Sequence, residues 1–158
     1  LASELRIGHR VQFHGWLTQQ QCAQQLRHAT ALVLPSLCEC GGAVVLEAMA
    51  LGRPVIATRW GGPIDYITPA CGILVPPTSR EALIAGLAEA MQRLASDPSL
   101  VEAMGAAGRH RLVEHFTWDR KIDAILDVYR SAYLSGGRRS PVEDPLRIRT
   151  IEHVRGEA

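Results

Sequence analysis

Two glutamates and a pair of glycines carry the most chemistry in this sequence. Glu39 and Glu47, with seven residues between them, lie in the stretch PSLCECGGAVVLEAMALGRPVIAT, Pro35 to Thr58, and Gly41 and Gly42 fall in the same interval. Adjacent glycines let an anion approach backbone N–H groups with no Cβ in the way. A carboxylate beside a phosphate would repel it, so the two glutamates are expected to face neutral groups. Vicinal sugar hydroxyls fit, because one carboxylate can accept from both. Two plainer readings stay open: Glu47 as a surface residue of a helix, and Glu39 as a helix-capping acid.

The flanking pattern says what must position these groups. Apolar Ala31 to Leu34 ends at Pro35-Ser36, an apolar helical stretch from Ala43 to Leu51 stops at Gly52, and a second apolar run spans Pro54 to Ala57. That order reads as strand, glycine turn, helix, strand: one βαβ unit. In such a unit the C-terminal end of the strand and the N-terminus of the helix converge. Unpaired N–H groups and the helix dipole there favour an anion.

Taken together, Glu39, Glu47, the CGG turn, EAMA, GRPVIAT and the later Gly61-Gly62 pair resemble the signature of retaining nucleotide-sugar glycosyltransferases of the GT-B fold, called group 1 or family 4. The resemblance extends from about Arg10 to Tyr133. It implies that Glu47 holds the donor ribose hydroxyls and that Glu39 lies near the transferred sugar as the catalytic-site carboxylate. It also implies that amides of Gly41, Gly42 and Ala43 hold the diphosphate and sugar. The loop Gly15-Trp16-Leu17 would pass the nucleobase, and Gly61 and Gly62 would lie near the donor; for Trp16, plain packing is the competing reading. The family often has Phe where this chain has Gly41, and Glu where it has Asp65.

What the resemblance implies for the whole is an α/β fold: a Rossmann-like three-layer α/β/α parallel sheet, the C-terminal half of a GT-B glycosyltransferase lacking its first two strands. The division expected is a partial nucleotide-sugar-binding domain over 1–137 and a polar, mobile tail over 138–158. The function implied is transfer of a sugar from a nucleoside diphosphate sugar, with retention of configuration and without a metal, to an acceptor held by a missing N-terminal domain. The fragment alone is expected to be inactive. No cofactor beyond the donor substrate is implied. In the family's strand order 3-2-1-4-5-6, Val11 to His14 would be strand three and Thr30 to Leu34 strand four, leaving an apolar edge able to drive self-association. Strand three would dock on strand four, another chain would fill the gap, or the first ~17 residues would be poorly ordered. A non-catalytic nucleotide- or phosphate-binding domain of similar fold, or an interaction domain, are the competing readings.

Bulk properties narrow the class. A chain of 158 residues can bury a sizeable core. A net charge of +1 gives no strong pull toward nucleic acid or anionic membrane. No apolar run approaches a membrane span, and no secretory signal is visible, so the expected location is cytoplasmic, or peripheral to a membrane in a longer protein. The four cysteines, Cys22, Cys38, Cys40 and Cys71, lack the paired spacing of a zinc site and read as free buried thiols in a reducing compartment.

Elsewhere the sequence gives ordinary helix signals. Leu1 to Ile7 reads as the tail of a helix. Thr18-x-x-Gln21 and Thr78-x-x-Glu81 read as capping boxes. Leu83, Leu87, Met91 and Leu94 form an apolar stripe. Asp97-Pro98 supplies an N-cap and an N1 proline. Thr117 caps a last helix, with Trp118, Ile122, Ile125, Leu126, Tyr129 and Tyr133 recurring as a packing stripe that ends at Gly136-Gly137. Gly72 to Val75 reads as a short strand.

Overall fold

A computed structural model describes residues 1–135, and the expected helix stop at Gly136-Gly137 and the tail over 138–158 lie outside the described residues. Three parallel strands form the sheet: β1 (Leu32–Leu34), β2 (Val55–Thr58) and β3 (Gly72–Val75), adjacent in that order. Leu32 pairs with Val55, and Val55 in turn with Gly72, so one register runs straight across. Helix α2 (Ala43–Ala50) crosses from β1 to β2, and the short α3 (Pro63–Tyr66) lies between β2 and β3. Helix α1 (Gln19–His28) precedes β1, and α4 (Arg80–Ser96) and α5 (Pro98–His115) follow β3.

Alternation along β2 builds the layers. Val55 and Ala57 point into one core with Val45, Ala48 and Met49 of α2 and Leu26 of α1. Ile56 points into the other, with Leu83, Ala90 and Leu94 of α4 and Met104 of α5. A fully buried side chain of the size of Met49 or Ile56 contributes about 1.5–3 kcal/mol. All four residues of β2 are buried, whereas the three of β1 are only half-buried. Thr30 to Leu34 was expected to be buried on both faces, and the difference has a simple cause. Strand β2 has a partner on each side; β1 has one, and its other edge is open among the described residues.

The helix starts follow their caps. Thr18 Oγ1 accepts from Gln21 N at 3.3 Å while Gln21 Oε1 accepts from Thr18 N at 2.9 Å, the expected reciprocal box. The box expected at Thr78 is not formed; the N-cap is Ser79, and its N3 residue, Ala82, has no side-chain acceptor to bond back. Ser79 is extended and its hydroxyl accepts from Ala82 N at 3.1 Å, so the helix opens at Arg80. Along α4, Ala90 rather than Met91 faces the sheet, and Met91 is exposed. Asp97 accepts from Leu100 N at 3.0 Å with Pro98 in the first turn, as expected.

Two expectations for the N-terminal stretch are corrected. Leu1 to Ile7 forms turns closed by bonds such as Leu5 N to Leu1 O, followed by a 3-10 turn at Gly8–Arg10, and is not the end of a regular helix. Val11 to His14 is not a strand, and Phe13 is 85% exposed. A strand is held by a ladder to a neighbour, and this segment has none; docking onto β1 is not the arrangement found.

The chain divides into two compact units, Leu1–Arg120 and the residues from Lys121 onward. In helix α6 (Trp118–Ser135), Trp118, Ile122, Ile125, Tyr129 and Tyr133 are exposed, so the packing expected of that stripe is not seen among the described residues.

Candidate functional site

The loop from Pro35 to Gly42 leaves the C-terminal end of β1 and turns into α2. Gly42 sits in the left-handed region at φ +63°, immediately before the first helical residue. The carboxylate of Glu39 folds back over this turn, and its Oε1 accepts from Gly42 N at 2.8 Å. Of the readings left open for Glu39, capping is therefore realised directly, and the Gly42 amide is already engaged. Val45 N donates to Gly42 O at 2.8 Å. Among the described residues no acceptor is found for the amides of Ala43 and Val44, so these are the two first-turn donors left to an anion. Ala43 was expected in this role; Val44 was not.

Glu47 stands one turn after Ala43 on the same helix face, half-buried, with no hydrogen bond or ion pair to its carboxylate among the described residues. Ala43 and Glu47 thus set amide donors and a carboxylate side by side on one stripe of α2.

A second loop locks the first in place. Gly62 N donates to Cys40 O at 3.2 Å. Gly61, at φ +62°, passes so close to Glu39 that a Cβ there would collide with the Glu39 carbonyl oxygen, and a Cβ on Gly62 would collide with the Gly41 carbonyl. Both expected glycines are therefore brought against the Glu39–Gly42 turn, and backbone contact is why they must be glycine. Pro63, the first residue of α3, packs against Gly42.

Behind this clasp stands Arg111 of α5. Its Nε donates to Tyr66 O at 2.8 Å and its Nη2 to Asp65 O at 3.0 Å, closing the carbonyl end of α3. Its guanidinium lies 5.4 Å from the Phe116 ring centroid, and Phe116 meets Tyr66 edge-on at 5.2 Å. The sequence offered no signal for Arg111, because its partners are main-chain carbonyls 45 and 46 residues away.

The Gly15-Trp16-Leu17 loop is not joined to this assembly by any hydrogen bond or ring contact among the described residues, and Trp16 is 95% exposed. The packing alternative for Trp16 is thereby overturned. Cys38 and Cys40 are likewise exposed; only Cys71 fits the buried-thiol expectation. Two open depressions of about 640 and 590 Å³ meet at Arg53, near the N-terminal ends of the strands, and neither is lined by Glu39, Glu47 or the glycines. Ligands of open parallel sheets bind at the opposite, C-terminal ends, where the α2 turn lies. Among the described residues no group of three or more His, Cys, Asp or Glu could hold a metal ion. No helix among them is long and apolar enough to cross a membrane.

Comparison with known proteins agrees with this arrangement. The D-inositol 3-phosphate glycosyltransferase of Streptomyces griseus is 39% identical over 141 residues, covering 89% of this chain and 29% of that protein. The alpha-maltose-1-phosphate synthase of Mycobacterium tuberculosis is 38% identical over 117 residues, 72% of this chain and 30% of that protein. The chain thus spans about a third of the length of the curated relatives it matches. Among solved structures, sucrose-phosphate synthase of Thermosynechococcus elongatus superposes with a TM-score of 0.71 at 35% identity, over 85% of this chain and 33% of the other. Anabaena HepE in complex with UDP gives a TM-score of 0.71 at 21% identity, over 82% of this chain and 35% of the other, a likeness of fold. Residues 1–111 match the family of glycosyl transferases group 1, and with the parallel sheet and glycine clasp described above the chain belongs to that family, with the fold of the C-terminal part of a GT-B glycosyltransferase.

Proposed function

We propose that this chain is the donor-binding part of a retaining, metal-independent glycosyltransferase that uses a nucleoside diphosphate sugar. The observation that supports this best is the stripe on α2 where the amides of Ala43 and Val44 and the carboxylate of Glu47 lie within one turn, all without a partner among the described residues. The diphosphate is held by those amides and the positive end of the helix dipole, which also take up charge developing on the leaving group. Glu47 accepts from the ribose hydroxyls. Glu39 orients the turn through Gly42 N and borders the transferred sugar. Gly41 supplies close approach, Gly61 and Gly62 hold the floor of the site, and Gly15 to Leu17 line the base. The acceptor is bound by a separate domain of the longer enzyme, and the product keeps the donor's anomeric configuration.

Titration calorimetry of the chain with UDP, GDP and ADP tests the reading. Binding of one of the three is expected, unchanged by a chelator. Glu47→Gln is expected to weaken it at least about tenfold, since hydrogen bonds to a charged group contribute roughly 1.5–3 kcal/mol each. Undiminished affinity in that variant overturns the ribose assignment. Dependence of binding on added magnesium or manganese overturns the metal-free reading.

A further inference from the structure

The sequence places a cysteine on each side of Glu39, and the structure leaves both exposed, whereas the Glu39 carboxylate is turned inward onto Gly42 N. The two other cysteines differ. Cys71 is 1% exposed and its sulfur lies 3.3 Å from Thr68 N; Cys22 is half-buried in α1. Thiol reactivity requires access, so this chain carries two classes of cysteine, with the accessible pair concentrated at the donor turn. The turn cannot easily yield to a bulky group, because the Cys40 carbonyl is held by Gly62 N at 3.2 Å and the Glu39 carbonyl is crowded by Gly61. An adduct on Cys40 or Cys38 is therefore carried on the exposed loop, three and five residues ahead of the Ala43 amide.

We propose that Cys38 and Cys40 form a thiol-modification site for low-molecular-weight disulfides, and that its modification shuts the donor side of the α2 turn. The inference rests on the donor reading for its consequence, though not for the chemistry of the thiols. In the first step a deprotonated cysteine attacks one sulfur of the small disulfide. A protein–sulfur bond forms, the disulfide bond breaks, and the other half leaves as a thiolate that takes a proton from water. In the second step the neighbouring cysteine attacks the protein-bound sulfur and expels the second half as a thiolate. A Cys38–Cys40 disulfide remains, two protein thiols being oxidised and one small disulfide reduced to two thiols. With glutathione disulfide, the intermediate adduct also brings anionic carboxylates beside a site for an anionic donor.

The test treats the 158-residue chain with glutathione disulfide, follows each cysteine by peptide mass spectrometry, and titrates UDP, GDP and ADP before and after. Cys38 and Cys40 are expected to react at least about tenfold faster than Cys71. Modified chain is expected to bind the preferred nucleotide at least about tenfold more weakly, with dithiothreitol restoring affinity. The Cys38→Ser/Cys40→Ser variant is expected to bind like the parent and to be indifferent to the disulfide. Equal rates at Cys71 overturn the modification site. Rapid modification with unaltered nucleotide affinity overturns the gate. A reduced chain that binds none of the three nucleotides refutes the donor reading and the gate together, while the relative thiol rates still decide the modification site.

Discussion

The α2 turn and the segment 1–17, the latter through Gly15-Trp16-Leu17, are both expected to meet the donor, yet they are built differently. The turn is clasped by main-chain groups of Gly62 on Cys40 and Gly61 on Glu39, and the Arg111 side chain holds α3 behind them. Among the described residues the segment before α1 holds only near-neighbour bonds, such as Arg10 N to Ile7 O, and leaves Phe13 and Trp16 in solvent. The difference teaches that a site is preorganised where its backbone closes on itself. Where it depends on a neighbouring strand, the sequence pattern alone does not fix it.

The sharpest way to break the comparison is at Gly61. Gly61→Ala forces a Cβ into the Glu39 carbonyl at a positive φ, and a loss of about 3 kcal/mol in urea unfolding is expected. A loss no larger than for surface substitutions would mean the clasp is not rigid. Next comes Arg111→Ala, which leaves the Asp65 and Tyr66 carbonyls without their donor and Phe116 without its cation. About 2 kcal/mol is expected, with Arg111→Lys recovering little because one ammonium cannot reproduce the fork. Nucleotide affinity should fall in step if α3 positions the glycine pair.

A smaller effect is expected at Asp97. Its carboxyl is held below the ordinary range first by the Ser99 hydroxyl and then by Leu100 N, so its folded pKa lies under its unfolded one. The stability it contributes is present above the unfolded carboxylate range and lost as pH falls through the folded pKa. Asp97→Asn should remove that part of the acid limb in a pH series of unfolding curves, and an unchanged limb would deny the cap its role. At the other end of the comparison, Phe13→Ser and Trp16→Ser should change stability by less than about 0.5 kcal/mol. A large loss in either would show that the segment is packed after all.

How far the sequence could be read follows the same line. The βαβ unit, the caps at Thr18 and Asp97, and the glycine pairs were legible because each is a local pattern with a local cause. The capping role of Glu39 stood as one of two alternatives, since a carboxylate three residues before an amide can either cap or project. The strand at Val11–His14 was read from alternation, which reports a half-buried face only if a neighbour supplies the ladder. Residue type alone suggests buried thiols at Cys38 and Cys40, whereas their places on either side of an inward-turned Glu39 leave them outside. Arg111 was invisible, because nothing in a sequence marks which carbonyls a distant guanidinium will meet.

The three strands lie in space in the order in which they occur along the chain, each beside its predecessor. That has a kinetic meaning. Every strand pairing closes a loop of modest length containing its own helix, so the loop-closure entropy is met in small successive instalments rather than in one long-range search. On a ribosome, β1 and α2 emerge before β2 is needed, and β3 finds its partner already in place. The described sheet can therefore grow in one direction as the polypeptide is synthesised, from β1 through β2 to β3, each strand meeting a predecessor that already stands in place.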